Sequence, residues 1–490
     1  MMNGQQYRES LQKLHPVIYC NGRKIENVVK DPMTAPHVNS AAMTYDIAFN
    51  PEYKELATAT SHLTGKTINR FTHVHQSTED LVNKVLLLRA IGQKTGTCFQ
   101  RCVGLDAINA TYITTYKIDQ KYGTNYHERI KKYLEYVQET DIMVAGSMTD
   151  PKGDRGKKPS AQADPDLFVH IVERREDGVV VRGAKAHQTG MVNSHEMLIL
   201  PTTNLGPEDK DYAIAGVIPV DAPGVVHIFG RQTNENRRLE GNIDTGNAAF
   251  AIVGGETLTI QNDVFIPWDK VFMCGETEFA QEFVETFAAF HRQNYGACKV
   301  GVADVIIGAA AAMAEYNGCP KASHIQDKLV EMTHLAETMH CCSLACSAMG
   351  HKTECGSYYV DTLLANTVKL NCTRTMYEIS RLSHDIAGGF IATLPYEADY
   401  RSEECHDYID KYFAGDAKFP TEERIRVARL LENMTGGTAL AESMHGAGSP
   451  QAMRVTIRRQ VDWEEKKNMA RRLAGVYNIS EALRRDALAS

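Results

Sequence analysis

The spacing of hydrophobic residues divides the chain into a helical part, a strand-rich part and a second helical part. In the first, "STEDLVNKVLLLRAIGQ" has apolar residues at helical spacing, with Ser77 as the predicted N-cap and Asp80 three residues later. The middle part has short apolar runs between turns, and "LFVHIVERREDGVVVRGAKA" predicts a hairpin around Asp177 and Gly178. Helical spacing then returns, as in "DVIIGAAAAMAEYNG".

This order predicts an α+β protein with a β domain between two helical regions. The predicted domains are an N-terminal helical domain over residues 1–146, a middle β domain over 147–275 and a C-terminal helical domain over 276–490. No GxGxxG motif lies between a predicted strand and a helix, so a Rossmann dinucleotide site is not predicted.

Composition and charge exclude several classes of protein. The 490 residues are 43% hydrophobic and 23% charged, which is ordinary for a globular protein. The formal net charge of −8 provides no positive field for nucleic acid or an anionic membrane. The N-terminus has no apolar core of a signal peptide, and no run reaches the roughly 18 apolar residues of a spanning helix. We therefore expect a cytoplasmic protein without nucleic-acid or membrane partners.

Two cysteine-containing stretches suggest a metal centre. Twelve irregularly spaced cysteines in such a chain favour reduced thiols or metal ligands over disulfides. In "TCFQRCVG", Cys98 and Cys102 are four residues apart, which predicts one face of one helix. In "FHRQNYGACKVG", His291 and Cys298 are seven apart, which predicts a shared face two turns long. Three thiolates and an imidazole suit zinc or an iron–sulfur cluster, and the alternative is that these cysteines fill core space.

The neighbourhood of the second stretch favours chemistry over packing. Tyr295 and Lys299 are predicted on or near the helix face that carries His291 and Cys298. Such a set of ionisable side chains is typical of a helix that lines an active site. Other candidates favour the structural interpretation. They are the cysteines of "HCCSLACSAMG", Cys341, Cys342 and Cys346, and the histidines of "THVHQ", His73 and His75.

Three further stretches have both a functional and a structural interpretation. "GSMTDPKGDRGKKPS" places Lys152 and Arg155 among glycines, which suits either a pyrophosphate site or a solvated loop. Thr189 follows a strand in "GAKAHQTGMVNSHE", where its hydroxyl would face a cleft or cap a turn. "AESMHGAGSPQ" places Glu442 and His445 before a Gly-rich turn that permits close approach to a ligand.

Together these stretches resemble the 4-hydroxybutyryl-CoA dehydratase family, whose members are also described as vinylacetyl-CoA Δ-isomerases. The motifs that carry the likeness are "GQKTGTCFQRCVG", "MTDPKGDRG", "RGAKAHQTG", "FHRQNYGACKVG" and "ESMHGAGSPQ", and they span nearly the whole chain. Phe290 stands where the family pattern has Tyr, and the segment 398–423 is shorter than expected, which leaves an entrance loop or subunit contact in doubt. "MTDPKGDR" and "DVFIPWD" are shared with flavin-dependent aromatic hydroxylases of the same broad fold.

The resemblance implies an architecture and two cofactors. It implies an acyl-CoA dehydrogenase-like subunit, with helical, β-barrel-like and helical domains, that assembles as a homotetramer. It also implies one FAD, contacted by the middle domain, and one [4Fe-4S] cluster in each subunit. The implied cluster ligands are Cys98, Cys102, His291 and Cys298.

The resemblance further implies radical dehydration of 4-hydroxybutyryl-CoA to crotonyl-CoA, with vinylacetyl-CoA as the substrate of the isomerase activity. His291 would be the base as well as a cluster ligand, Tyr295 and Glu442 would move protons or hold the leaving hydroxyl, Glu256 would contribute, and Lys299 would tune the charge. The implied cofactor contacts are Met148, Asp150, Lys152, Arg155, His187, Thr189, Gly448 and Ser449.

Two other functions are compatible with parts of the sequence. A two-component flavin-dependent aromatic hydroxylase on the same fold would bind flavin without a cluster and would leave Cys98, Cys102 and Cys298 without a shared role. A non-catalytic metal-binding or redox-sensing scaffold would bind metal without flavin and would leave Thr189, Tyr295 and Glu442 unexplained.

Overall fold

The computed structural model describes residues 1–202, 205–232, 240–247 and 249–476. The end of the predicted C-terminal domain, residues 477–490, therefore lies outside the described residues. The helices are α1 Gly4–Leu11, α2 Ala35–Asp46, α3 Lys54–Ala57, α4 Thr78–Thr95, α5 Cys102–Tyr122, α6 Tyr126–Thr140, α7 Asn242–Thr245, α8 Thr277–Gln293, α9 Cys298–Tyr316, α10 Ser323–Ala348, α11 Thr362–Ala387, α12 Glu397–Arg401, α13 His406–Tyr412, α14 Thr421–Met434, α15 Gly437–His445, α16 Pro450–Gln460 and α17 Trp463–Leu473.

The strands lie mainly in the middle of the chain. They are β1 Val17–Cys20, β2 Arg23–Lys24, β3 Thr58–Thr60, β4 Thr67–Asn69, β5 Val144–Ser147, β6 His170–Arg174, β7 Gly178–Thr189, β8 Glu196–Ile199, β9 Ile214–Pro219, β10 Val225–Phe229, β11 Glu256–Pro267, β12 Val271–Cys274, β13 His351–Lys352 and β14 Tyr358–Tyr359.

The longer strands form two separate sheets. One has the order β2-β1-β10-β11-β7-β6 and the other the order β12-β9-β8-β5. Pairing is antiparallel except for β1 with β10 and β5 with β8. Among the described strands both sheets have free edges, so the predicted barrel-like middle domain is not confirmed. The first part of the chain also contributes β1 and β2 to the larger sheet, and the predicted domain boundaries stay predictions.

Local sequence signals explain several element ends. The side chain of Ser77 accepts a hydrogen bond from the backbone N–H of Asp80, which confirms the predicted start of α4. The predicted hairpin around Asp177 and Gly178 is confirmed as the antiparallel pair of β6 and β7. Helix α4 ends where Gly96 adopts a left-handed conformation with φ 63°. The chain therefore leaves the helix just before the first of the candidate cysteines.

The C-terminal helices form a second large core around α9, α10 and α11. Helix α9 packs closely on α4, where a Cβ on Gly92 would lie 2.7 Å from the carbonyl oxygen of Cys298. The segment Thr277–Tyr316 is long and apolar enough to cross a membrane, but most of its most apolar window is buried inside the protein. Such burial is typical of a core helix. The close approach brings the start of α9 next to the end of α4.

Candidate active site

The prediction that Cys98 and Cys102 lie on one face of one helix is wrong. Cys98 lies in the loop after Gly96, and Cys102 is the first residue of α5. Gln100 between them has φ 69°, a left-handed conformation that no regular helix contains. The spacing of four therefore does not place the two thiols on one helical face. They approach each other because a tight loop joins α4 to α5.

The second predicted helix is also interrupted. His291 lies in the last turn of α8, a 3₁₀ turn spans Asn294–Gly296, and Cys298 begins α9. Ala297, just before α9, has φ −124° and ψ −74°, outside the helical region. A Cβ on Gly296 would lie 2.5 Å from Cβ of Ser343, so α10 packs directly against this turn. His291 and Cys298 are thus presented by the ends of two helices.

The three candidate thiols nevertheless come together. Burial raises the pKa of Cys98 and of Cys102, and raises that of Cys298 to about 12, and charge on neighbouring thiols adds to the shift of each. A fourth buried thiol, Cys372, lies beside Cys298 and was missed by the sequence analysis. Thiols with raised pKa values hold their protons unless a metal replaces them.

The four candidate ligands have residue types that occur in metal centres. Among the described residues, no group of three His, Cys, Asp or Glu side chains is arranged to hold a single metal ion. A four-iron cluster takes one ligand at each of its four irons. Three neighbouring thiols and one imidazole match that requirement in chemistry.

One ring nitrogen of His291 is held by a carboxylate, and the other is available to bind a metal or accept a proton. Its Nδ1 lies 2.8 Å from Oδ2 of Asp106, and no described residue is a recorded partner of its Nε2. Metal-binding histidines commonly donate the second ring N–H to a carboxylate in this way. Asp106 was missed by the sequence analysis, although its position one turn after Cys102 on α5 is a signal that could have identified it.

Next to the thiols, α9 and α15 present an ion pair. Lys299 Nζ donates to Oε2 of Glu442, and both side chains are largely buried. Burial lowers the pKa of Lys299, but Glu442 and the nearby thiols outweigh it and raise that pKa overall. The hydroxyl of Tyr295 lies 3.4 Å from Oε1 of Glu442, and burial raises the pKa of this phenol. The tyrosine therefore keeps its proton, and its hydroxyl is able to donate a hydrogen bond.

A second carboxyl faces this group from the β sheet. Glu256 and Thr189 are opposite each other on β11 and β7, and the Thr189 hydroxyl donates to Oε1 of Glu256 at 2.6 Å. Burial raises the pKa of Glu256 to about 7; the hydrogen bond from Thr189 opposes the shift and the charge of Glu442 adds to it. A carboxyl with this pKa can accept or donate a proton near neutral pH.

Some predicted cofactor contacts have structural partners. Asp150 is paired at 2.6 Å with the buried Lys185, which also donates to the carbonyl oxygen of Met148 at 3.1 Å. Gly448 has φ 102°, and a Cβ on it would lie 3.2 Å from Nη2 of Arg292. Ser449 is the N-cap residue of α16 and makes no capping hydrogen bond through its side chain.

The remaining predicted contacts are exposed. Partial burial lowers the pKa of His187 on β7, and the charges of Lys152 and of His445 at the end of α15 lower it further, so these three residues lie near one another. Arg155 lines a cavity of about 260 Å³ together with Lys157, Lys158, Phe168 and Thr202. The structure thus brings His291, Tyr295, Lys299, Glu442, Glu256 and the three thiols together, and it places Arg155 in a separate basic cavity.

Two of the other candidates have contacts that agree with their predicted structural roles. Cys346 is buried and its Sγ lies 3.3 Å from the carbonyl oxygen of Asp361. Nε2 of His73 pairs with Asp80 at 2.9 Å.

Comparison with known proteins defines the class of this chain. A family model described as 4-hydroxyphenylacetate 3-hydroxylase N terminal matches residues 3–273, and one described as 4-hydroxyphenylacetate 3-hydroxylase C terminal matches residues 280–475. The chain belongs to the 4-hydroxyphenylacetate 3-hydroxylase family.

Within this family, one relative is much more similar than the hydroxylases. The chain is 55% identical over 490 residues to the 4-hydroxybutyryl-CoA dehydratase/vinylacetyl-CoA-Delta-isomerase of Clostridium aminobutyricum, with 97% of this chain and 100% of that protein covered. The resemblance to the 4-hydroxybutyryl-CoA dehydratases is therefore confirmed.

Solved structures agree with this assignment. An oxygen-tolerant archaeal 4-hydroxybutyryl-CoA dehydratase from N. maritimus is 51% identical with a TM-score of 0.95, covering 97% of this chain and 95% of that one. The oxygenase component of 4-hydroxyphenylacetate 3-monooxygenase, solved with FAD and 4-hydroxyphenylacetate, is 23% identical with a TM-score of 0.85, covering 99% of each chain. The second likeness concerns the fold alone.

Proposed function

We propose that this protein dehydrates 4-hydroxybutyryl-CoA to crotonyl-CoA and isomerises vinylacetyl-CoA. The observation that carries the proposal is that three buried or partly buried thiols and His291 lie beside the Lys299 and Glu442 ion pair. A flavin hydroxylase does not require three thiols and a histidine at one place, and a metal-binding scaffold does not require Glu442, Glu256 and Tyr295 next to them. The 55% identity to the clostridial dehydratase, against 23% to the hydroxylase structure, supports the same choice.

We further propose that FAD and a [4Fe-4S] cluster bind here. Cys98, Cys102, Cys298 and Nε2 of His291 would hold the cluster. Thr189 would face the flavin ring, and Met148, Asp150, Lys152, Arg155, His187, Gly448 and Ser449 would contact the flavin or the substrate. When bound, the flavin supplies one-electron chemistry and the cluster supplies a Lewis-acidic iron.

His291 is the proposed base for the proton at C2 of the substrate. The thioester acidifies that proton, whereas the C3 hydrogen is not activated in the substrate. The imidazole would have to leave the iron first, because the single lone pair on Nε2 cannot bind iron and accept a proton together. The free neutral ring, whose Nδ1 is held by Asp106, would then accept the proton at Nε2, and the nearby carboxylate would stabilise the resulting imidazolium. A thiolate in this position would bind iron more permanently and would be a poorer base.

The remaining groups are proposed to bind the hydroxyl that leaves C4 and to accept or donate protons near it. Tyr295 keeps its proton because burial raises its pKa, so it is the proposed donor to the departing C4 oxygen. Glu442 and Lys299 orient Tyr295 and fix the charge next to it. Glu256, with a pKa of about 7, is the proposed second proton acceptor on the side of the β sheet.

The proposal includes the architecture and the setting of the enzyme. The subunit would have the acyl-CoA dehydrogenase-like arrangement, assemble as a homotetramer and act in the cytoplasm without nucleic-acid or membrane partners.

Anaerobic purification tests the proposal directly. Iron, acid-labile sulfide and released flavin are measured on one sample, and turnover of 4-hydroxybutyryl-CoA on the same sample. We expect about four iron and four sulfide with one FAD per subunit, as a Cys-ligated four-iron cluster requires, together with formation of crotonyl-CoA. If the protein is produced in cells that assemble iron–sulfur clusters and is found to contain flavin but no iron, that result would instead favour a flavin-dependent hydroxylase.

A further inference from the structure

Asp106 lies at the centre of a buried polar network that joins α4, α5 and the end of α8. Its carboxylate is fully buried. Oδ1 accepts a hydrogen bond from Nζ of Lys84 at 2.6 Å. Oδ2 accepts one from Nδ2 of Asn294 at 2.6 Å and lies 2.8 Å from Nδ1 of His291. Each oxygen is thus used, and one of them is directed at the histidine.

The contact with Asp106 favours one position for the proton of His291. Nδ2 of Asn294 also lies 3.4 Å from Nδ1 of His291, but this amide donates to Oδ2 of Asp106 at the shorter distance of 2.6 Å. An ionised carboxylate accepts hydrogen bonds and donates none, so the 2.8 Å contact requires a proton on Nδ1. Lys84 supplies the counter-charge that a buried carboxylate needs. In the neutral ring, Nε2 then has the lone pair and points away from Asp106.

We propose that Asp106 is a positioning residue that fixes both the ring orientation and the tautomer of His291, so that Nε2 is the nitrogen available to iron and to the substrate proton. The inference rests on the proposed function, because it assigns the carboxylate that prepares the proposed ligand and base. Asp106 itself touches neither substrate nor cofactor in this scheme.

The same network also holds the backbone that carries the ring. Lys84 donates to the carbonyl oxygen of Phe290 at 3.2 Å and to Oε1 of Gln293 at 3.1 Å, in the last turn of α8. Asp106 lies one turn after Cys102 on α5. One helix therefore supplies a proposed cluster ligand and the group that orients another.

Replacement of Asp106 by Asn would reverse the tautomer. The ammonium of Lys84 attracts the amide oxygen, which leaves the amide N–H facing Nδ1 of His291. Nδ1 would then have to accept, and the ring proton would move to Nε2. That nitrogen could neither bind iron nor act as a base.

The test compares D106N, the double variant D106L/K84M and the control D244N, each purified anaerobically. In the double variant, the side chain at position 106 cannot accept a hydrogen bond from Nδ1 of His291, whichever way it is oriented. Asp244 is also a buried carboxylate, close to Arg429, and has no recorded contact with His291. Three quantities are measured on each protein: the rate at which bathophenanthroline removes iron, the thermal unfolding midpoint, and turnover. The double variant removes both buried charges, so it restores the unfolding midpoint if D106N destabilises only through an unpaired Lys84.

We expect iron loss at least about tenfold faster in D106N and in D106L/K84M, since outer-sphere partners of metal ligands typically contribute 10- to 100-fold in affinity. D244N should lose iron at the wild-type rate. Wild-type iron retention in D106L/K84M would overturn the inference, because the carboxylate would then have only a structural role. Equally fast loss in D244N would overturn it too. Wild-type protein that binds flavin but no iron would overturn the proposed function, and this inference with it, whereas iron retained in every variant overturns the inference alone.

Discussion

Glu256 and Thr189 face each other across β11 and β7, joined by a 2.6 Å hydrogen bond from hydroxyl to carboxyl. The side chain keeps some solvent contact, yet burial raises its pKa from 4.5 to about 7. Between these values the folded protein binds more protons than the unfolded chain, so its stability falls as pH rises.

We expect this pH dependence to be lost in Glu256→Gln. In the wild type, the free energy of unfolding should decrease between pH 4.5 and about 7, by at most about 3 kcal/mol for a shift of this size. Urea unfolding at pH 5 and pH 7.5 measures the difference, with exposed Glu464→Gln as the matched control. An unchanged difference in Glu256→Gln would show that Glu256 is ionised throughout this range.

The Gly446→Ala substitution should disturb Tyr295. A Cβ on Gly446 would lie 2.0 Å from the hydroxyl oxygen of Tyr295, so the tyrosine or the end of α15 has to move. We expect kcat to fall at least about tenfold, since small displacements of catalytic groups are costly. Gly437→Ala, at the start of the same helix, is the matched control because nothing lies within 4 Å of its Cβ position. Equal kcat in both variants would contradict the role of Tyr295.

Cys298→Ala should lower the iron content and abolish dehydration. Cys298 is one of the three thiols that lie together, and removing one proposed ligand leaves an iron without its thiolate. Iron and sulfide analysis of anaerobically purified protein measures the effect. Cys346→Ala removes a buried thiol whose Sγ lies against the carbonyl oxygen of Asp361, away from the proposed cluster, and it should keep the iron. Full iron and activity in Cys298→Ala would remove this residue from the ligand set.

His291→Cys should separate the two proposed roles of the histidine. A thiolate can replace the imidazole as an iron ligand, so much of the cluster should be retained. Turnover should be lost, because a bound thiolate is a poor base for the C2 proton. Iron content and crotonyl-CoA formation are measured on the same sample. Near-normal turnover would rule out His291 as the base.

Lys369→Met should remove part of the pH dependence of the free energy of unfolding. The buried ammonium donates to the carbonyl oxygen of Ser443 at 2.6 Å and lies 3.8 Å from the centre of the Tyr295 ring. Burial lowers its pKa from 10.5 to about 8, so the folded protein binds fewer protons than the unfolded chain in this range and its stability rises with pH. Urea unfolding at pH 7.5 and pH 9.5 should show the rise in the wild type and in Lys328→Met, but not in Lys369→Met. A rise in all three proteins would mean that Lys369 is not its source.

Local signals were sufficient to predict much of the fold. The start of α4 at Ser77 and the β6 and β7 hairpin depend on neighbouring residues, and both were predicted correctly. The continuous helix through Cys98 and Cys102 was wrong because Gly96 ends α4 and Gln100 takes a left-handed conformation. Glycine is a frequent helix terminator, so Gly96 was a readable signal.

The site was predicted less completely because its decisive contacts join distant parts of the chain. His291 and Asp106 are 185 residues apart, and no local pattern indicates that they touch. Lys185 pairs with Asp150 through a fold that brings β7 to the loop after β5, and this pairing gives Asp150 a structural partner. The barrel-like middle domain came from the resemblance and was not confirmed, since whether a sheet closes depends on strand pairing.

The turn at Asn294–Gly296 interrupts the helix, so the direction in which side chains leave α8 does not fix the direction in which they leave α9. In one unbroken helix, a residue inserted before His291 would turn every later side chain by about 100° about the axis. Here α9 is held by its contact with α4 and the turn by its contact with α10, whereas the end of α8 is held by Asp106 and Lys84. The orientations of the His291 imidazole and of the Cys298 thiol are therefore constrained by two different sets of neighbours.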